Sequence, residues 1–154
     1  MTLLETIHLI EVIAANQPAV NMIVQNDIFR LNAKPDARYG AFGWTQGQHS
    51  ASIDGNFMTF QFTFFYIDRL TADKSNQIEV QSVGIQTLDN ILRALNDRGV
   101  YVDGYTFQPF NQRFMDECAG VFCTVSLDVP ARSLCREDFA DFNGDDFNDD
   151  FMIY

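Results

Sequence analysis

The stretch NFMTFQFTFFYIDRL, residues 56–70, carries the clearest β-strand pattern in the chain. Alternate positions form one wholly apolar face, which comprises Met58, Phe60, Phe62, Phe64 and Tyr66. The other face begins polar at Thr59 and Gln61 and becomes apolar at Phe65 and Ile67. We therefore predict a long strand whose second half is buried on both faces, either by a second layer or, as we prefer, by a contact between subunits.

A helix is predicted on each side of this strand. In residues 2–15, an apolar stripe recurs at helical spacing through Leu3, Leu4, Ile7, Ile10 and Ala14. Thr2 with Glu5 forms a capping box, and the chain turns at Pro18. The second helix follows the polar connection 71–76 and repeats its apolar stripe at steps of three and four, through Ile78, Gln81, Ile85, Leu88, Leu92 and Leu95. We expect it to end at Gly99, which can adopt the left-handed conformation of a helix C-cap.

Shorter strands are predicted over residues 20–29, around Phe42 and Trp44, over 100–107 with a break at Gly104, and over 118–129. Residues 32–40 read as an exposed loop or hairpin tip, residues 47–50 as a loop, and Pro109 as a turn. This order of elements predicts an α+β fold in which an antiparallel β-sheet packs against two helices.

The last 19 residues differ in composition from the rest of the chain. We divide the chain into a domain of residues 1–135 and an acidic, Phe-rich tail of residues 136–154. The tail contains seven acidic residues and one basic residue. Such a tail is either a disordered, solvating segment or a partner-binding one that inserts its rings into a neighbouring surface. The candidate partner-binding residues are Phe139, Phe142, Phe147, Phe151 and Tyr154.

The formal charge of -11, with only ten Lys and Arg, argues against sequence-specific nucleic-acid binding, which needs positive charge to meet phosphates. An acidic wall can nevertheless line a DNA channel without a binding site. No segment approaches the roughly 20 apolar residues of a membrane span, so we expect a soluble protein without a membrane partner. The cysteines Cys118, Cys123 and Cys135 lack CxxC spacing and are expected to be reduced thiols.

Catalytic and metal-binding patterns are weak. The chain has two histidines, His8 and His49, and no nucleophile with a local signature, so we expect neither an enzyme nor a cofactor. The carboxylates of residues 141–150 surround Gly144 in the manner of a calcium loop, but Phe139 occupies the first ligand position of that pattern. We therefore expect no metal site.

Three segments carry a resemblance to a known family: DRLTADKSN at residues 68–76, EVQS at 79–82 and FNQRFMDECAG at 110–120. They resemble a family of small virion proteins of crAss-like phages and of related phages and prophages of Bacteroidales. The similarity extends from about Asn21 to Val129.

The resemblance implies a tail-terminator-like fold and a structural role as a tail terminator or head-to-tail connector ring, with six or twelve copies around the DNA channel. The expected neighbours are portal, connector or tail ring proteins, in a virion assembled in the bacterial cytoplasm. It also implies turn or subunit contacts for seven charged residues: Asp68, Arg69, Asp73, Lys74, Arg113, Asp116 and Glu117. The alternative is a small adaptor or assembly-chaperone module that binds a partner through its acidic tail.

Overall fold

A computed structural model describes residues 1–26, 39–52, 55–111 and 118–131. Along the chain the elements are α1 (Leu3–Ala15), β1 (Met22–Gln25), β2 (Ala41–Gln46), β3 (Ser50–Ala51), β4 (Phe57–Arg69), α2 (Gln77–Asp97), β5 (Tyr101–Val102), β6 (Thr106–Asn111) and β7 (Cys118–Pro130). The described part of the chain is thus an α+β fold with two helices and a seven-stranded mixed sheet.

The long strand predicted from residues 56–70 is β4, and it lies at the centre of the sheet. It pairs along its whole length with antiparallel β7, from Phe57 opposite Pro130 to Arg69 opposite Cys118. The sheet order is β1-β2-β4-β7-β5, with β3 also beside β4 and β6 also beside β7.

The prediction of a purely antiparallel sheet was wrong at one pairing. β1 runs parallel to β2, with Met22 opposite Ala41 and Gln25 opposite Trp44. Parallel neighbours need a crossover connection of about a dozen residues or more, whereas a tight hairpin joins only antiparallel strands. Residues 26–40 supply that length. Residues 27–38, which include the end of the predicted strand 20–29 and most of the predicted loop 32–40, lie outside the described residues.

Both helices pack on one face of the sheet and form the main core with the apolar face of β4. This core includes Ile10 and Ile13 of α1, Leu88, Ile91, Leu92 and Leu95 of α2, and Phe60, Phe62, Phe64 and Tyr66 of β4. The Glu11 carboxylate fixes α1 to the sheet, because it accepts hydrogen bonds from Trp44 Nε1 at 3.1 Å and Gln25 Nε2 at 2.6 Å. The helix that begins with the predicted capping box is therefore anchored at both ends.

The opposite face of the sheet, here called the open face, holds a second and smaller core. It consists of Val24, Ala41, Phe65, Ile67, Phe110 and Cys118. Phe65 and Ile67 are 2% and 0% exposed within the single chain, so the subunit contact that we preferred is not what buries them. Polar side chains also lie on this face, where Thr59 Oγ1 donates to Asp128 Oδ1 at 2.5 Å across β4 and β7.

Both strands that flank the central pair are interrupted at the same level of the sheet. Between β2 and β3, which pair with β4, and between β5 and β6, which pair with β7, the pairing register shifts by one residue. Such a shift is what a β-bulge produces, because it inserts one extra residue into one of two paired strands. Two loop predictions were wrong here: Ser50 begins β3, and Pro109 lies inside β6. Proline is tolerated there because β6 pairs with β7 and with no other described strand, so it lies at an edge.

Candidate functional site

The solvent side of α1 exposes a line of side chains at positions i, i+4 and i+8. We call Leu4, His8 and Val12 the α1 ridge; Leu4 is 76% exposed and Val12 is 40% exposed. Helical spacing puts these residues opposite Ile10 and Ile13, which fill the core. Leu4 was predicted on the apolar stripe that packs inward, and the structure places it outside, because Leu3 and Ile7 occupy the packed side.

A second apolar surface lies on the open face, at the end of the sheet where β7 finishes. Phe57 and Tyr101, here called the open-face pair, are 52% and 61% exposed. Phe57 is opposite Pro130 and Tyr101 is opposite Asp128, so the two rings flank the last residues of β7 from either side. The α1 ridge and the open-face pair therefore lie on opposite faces of the sheet.

A third surface is a groove between α2 and the edge strand β6. The residues that line this α2 groove are Ile78, Gln81, Ser82, Ile85, Gln86, Asp89, Phe107 and Pro109. Ile78 is 72% exposed and Ile85 is 38% exposed. We predicted both in the buried stripe of α2, but no described strand lies beyond β6 to cover them. One end of the groove is held by Gln81 Nε2, which donates to Asn111 Oδ1 at 2.8 Å.

Of the four candidate contact residues expected in the connection from β4 to α2, Asp68 and Arg69 are the last residues of β4, and Asp73 and Lys74 lie in the connection itself. The Asp73 carboxylate accepts hydrogen bonds from Thr71 Oγ1 at 2.7 Å and from the Ser75 hydroxyl and amide at 2.9 and 3.2 Å. These hydrogen bonds hold the pKa of Asp73 below its ordinary value, and the bond from Thr71 has the largest effect. Asn76 completes the turn, since its side chain accepts from Thr71 N and donates to Arg69 O.

The other three candidate contact residues, Asp68, Arg69 and Lys74, have different surroundings. Asp68 accepts from the Arg69 amide at 2.7 Å, and the Arg69 guanidinium lies 4.3 Å from the centre of the Tyr39 ring. Lys74 has a φ of 59°, a left-handed conformation within the turn. The remaining predicted site residues lie outside the described residues: Arg113, Asp116, Glu117, Phe139, Phe142, Phe147, Phe151 and Tyr154.

A polar cluster that the sequence analysis missed joins α2 to the connection between β5 and β6. Asp89 accepts from Tyr105 Oη at 2.5 Å and from Arg93 Nε at 2.6 Å. Both hydrogen bonds lower the pKa of Asp89, and the bond from Tyr105 has the larger effect. Burial, followed by the bond to Asp89, raises the pKa of Tyr105 to about 12. The i, i+4 spacing of Asp89 and Arg93 was the one available signal.

Two side chains with potential chemistry have structural surroundings. The His49 ring contacts Phe60 edge to face and Phe62 at a tilt, and it accepts from Gln61 N at Nδ1 and contacts Gln46 Oε1 through Nε2. Burial raises the pKa of the Cys123 thiol to about 11, which makes it a poor nucleophile at neutral pH. In the part of the chain that the structure describes, no three His, Cys, Asp or Glu residues cluster to hold a metal ion. Among the described helices, none combines the length and apolar character needed to cross a membrane.

Comparisons with known proteins add no family assignment. No protein-family model matches the chain, and no curated protein matches it.

Proposed function

We propose that the protein is a structural subunit of a bacteriophage head-to-tail connector or tail-terminator ring, which assembles around the DNA channel between portal and tail. The observation that carries this proposal is the position of the α1 ridge and the open-face pair on opposite faces of the sheet. Exposed large apolar side chains that are grouped on one face of a protein are candidates for contact surfaces. The resemblance of residues 68–76, 79–82 and 110–120 to small phage virion proteins supports the same role.

Two unlike surfaces on one subunit favour a ring over a two-fold dimer. In a two-fold dimer the same patch meets itself, whereas in a ring one surface of each copy meets a different surface of the next copy. Leu4 and Val12 belong to a helix, and Phe57 and Tyr101 belong to strand ends, so the two surfaces differ in shape. Their separation on opposite sides of the sheet allows both to be occupied at once.

The first experiment measures the mass of the purified protein by light scattering, with negative-stain imaging alone and with a candidate portal partner. We expect closed rings in at least one sample. A chain that stays monomeric with every portal partner tested would contradict the proposal.

Variants then test which surfaces form the contact. Leu4→Asp and Phe57→Asp should each raise the concentration needed for assembly by about tenfold or more, because burying one large apolar side chain is worth about 1.5–3 kcal/mol. Asn90→Asp is the control, since Asn90 is exposed on α2 and lies on none of the three surfaces.

A mixture of the two variants gives the sharpest result. The intact ridge of a Phe57→Asp copy can meet the intact open-face pair of a Leu4→Asp copy, but the chain of contacts cannot continue. We expect the mixture to form dimers, while each variant alone remains monomeric. Full rings from either single variant at the concentration at which the wild type assembles would show that these surfaces are not the ring contact.

A further inference from the structure

We propose that residues 147–154, the end of the chain's own tail, dock in the α2 groove as an extended strand along the outer edge of β6. The α2 groove combines an apolar wall with a strand edge. Ile78, Ile85 and Phe107 line the wall, and β6 pairs with β7 on one side and with no described strand on the other. An extended peptide adds to such an edge through main-chain hydrogen bonds, while alternate side chains fill the wall. Pro109 has no amide hydrogen, so the donors of this edge come from the other residues of β6.

The last residues of the chain have the composition that this groove requires. The segment FNDDFMIY, residues 147–154, ends in four consecutive apolar residues and contains no proline or glycine. In an extended conformation Phe147, Phe151 and Ile153 share one face, and aromatic and β-branched residues favour strands. Asp149 lies on the same face between Phe147 and Phe151, and Asp150 falls on the opposite face with Met152 and Tyr154.

The charges of the α2 groove also fit this occupant. Asp89, the only carboxylate among the lining residues, is already bonded to Arg93 and Tyr105. No lysine or arginine lines the groove, so the docking is apolar and main-chain in character and should depend little on salt.

The tail is long enough for residues 147–154 to reach the α2 groove of the same chain. The described chain ends at Ala131, whose amide donates to Asn56 O at 2.7 Å. Pro109 of the groove is opposite Val121, and residues 121–130 of β7 span about 30 Å at roughly 3.3 Å per residue. Residues 132–146 reach about 50 Å when extended, and as a flexible linker they average roughly 20 Å, or more when like charges repel. A linker whose average length approaches the span gives a high effective concentration, which favours docking within one chain.

This inference goes beyond the ring role and concerns the free subunit as well. Limited proteolysis of the full-length protein with chymotrypsin tests it, with the cleavage sites identified by mass spectrometry. Ile78→Asp should increase the rate of cleavage after Phe147 and Phe151 by about tenfold, because a carboxylate in the apolar wall opposes docking. Asn90→Asp is the matched control, because Asn90 is exposed on α2 but does not line the α2 groove, and it should leave the rate unchanged. Equal rates in these two variants would overturn the proposal.

Hydrogen exchange tests the same contact from the tail side. Ile153→Asp should speed exchange of the amides in Thr106–Asn111, while Phe139→Asp, outside the docking segment, should not. Unchanged exchange in Ile153→Asp would overturn the proposal. Protection of the tail should also be independent of protein concentration; protection that is lost on dilution would assign the groove to the tail of another copy and overturn docking within one chain. Ring formation is measured separately, so either proposal can fail while the other stands.

Discussion

Tyr66 links a single side chain of the core to the pH dependence of stability. It is 1% exposed and donates to Ala19 O at 3.3 Å, and burial, followed by the charge of Asp68, raises its pKa from 10.0 to about 12. The unfolded chain ionises first as pH rises, so the contribution of Tyr66 is complete below pH 10 and is lost between about pH 10 and 12. Tyr66→Phe should therefore lose less unfolding free energy than the wild type over this range in urea denaturation. Tyr101→Phe, at an exposed ring, should behave as the wild type, and the same behaviour in Tyr66→Phe would contradict the assignment.

The N-terminus of α1 shows how far local sequence determines one element. Thr2 Oγ1 accepts from the Glu5 amide at 3.2 Å, and the Glu5 carboxylate accepts from the Thr2 amide at 2.7 Å, as the capping box predicts. Thr2→Ala should lower the free energy of unfolding by about 1 kcal/mol, because the first turn loses a hydrogen-bond acceptor. Thr2→Ser keeps the hydroxyl and should change it little. Chemical denaturation followed by circular dichroism measures both, and a Thr2→Ala protein as stable as Thr2→Ser would show that the cap contributes nothing.

The net charge of the whole molecule bears on assembly. Each copy carries a formal charge of -11, so copies that meet in a ring repel one another at low ionic strength. The contact surfaces that we propose are apolar, and added salt should therefore promote assembly by screening the repulsion. We expect the light-scattering mass to rise between about 0.02 and 0.15 M salt. A fall over the same range would indicate that ion pairs, and not the α1 ridge and the open-face pair, hold the copies together.

Much of the secondary structure follows from local patterns. The alternation runs through residues 57–69 and the three-four spacing through residues 77–97, and each pattern is long enough to distinguish a strand from a helix. Gly99 ends the second helix with a φ of 85°, as a left-handed C-cap requires. The candidate surfaces were less predictable, because periodicity alone does not distinguish the buried Leu88 from the exposed Ile78 on the same stripe.

The sequence by itself determined the two helices, the long strands β4 and β7, and the α+β class, because these depend on contacts between residues close along the chain. Only the tertiary structure decided the parallel pairing of β1 with β2 and the second core around Phe65. That ring lies over Gly43, where a side-chain carbon would overlap it, and the two residues meet only when β2 pairs with β4. The same holds for the α1 ridge, the open-face pair and the α2 groove, since exposure depends on which element packs against which, and no described strand lies beyond β6.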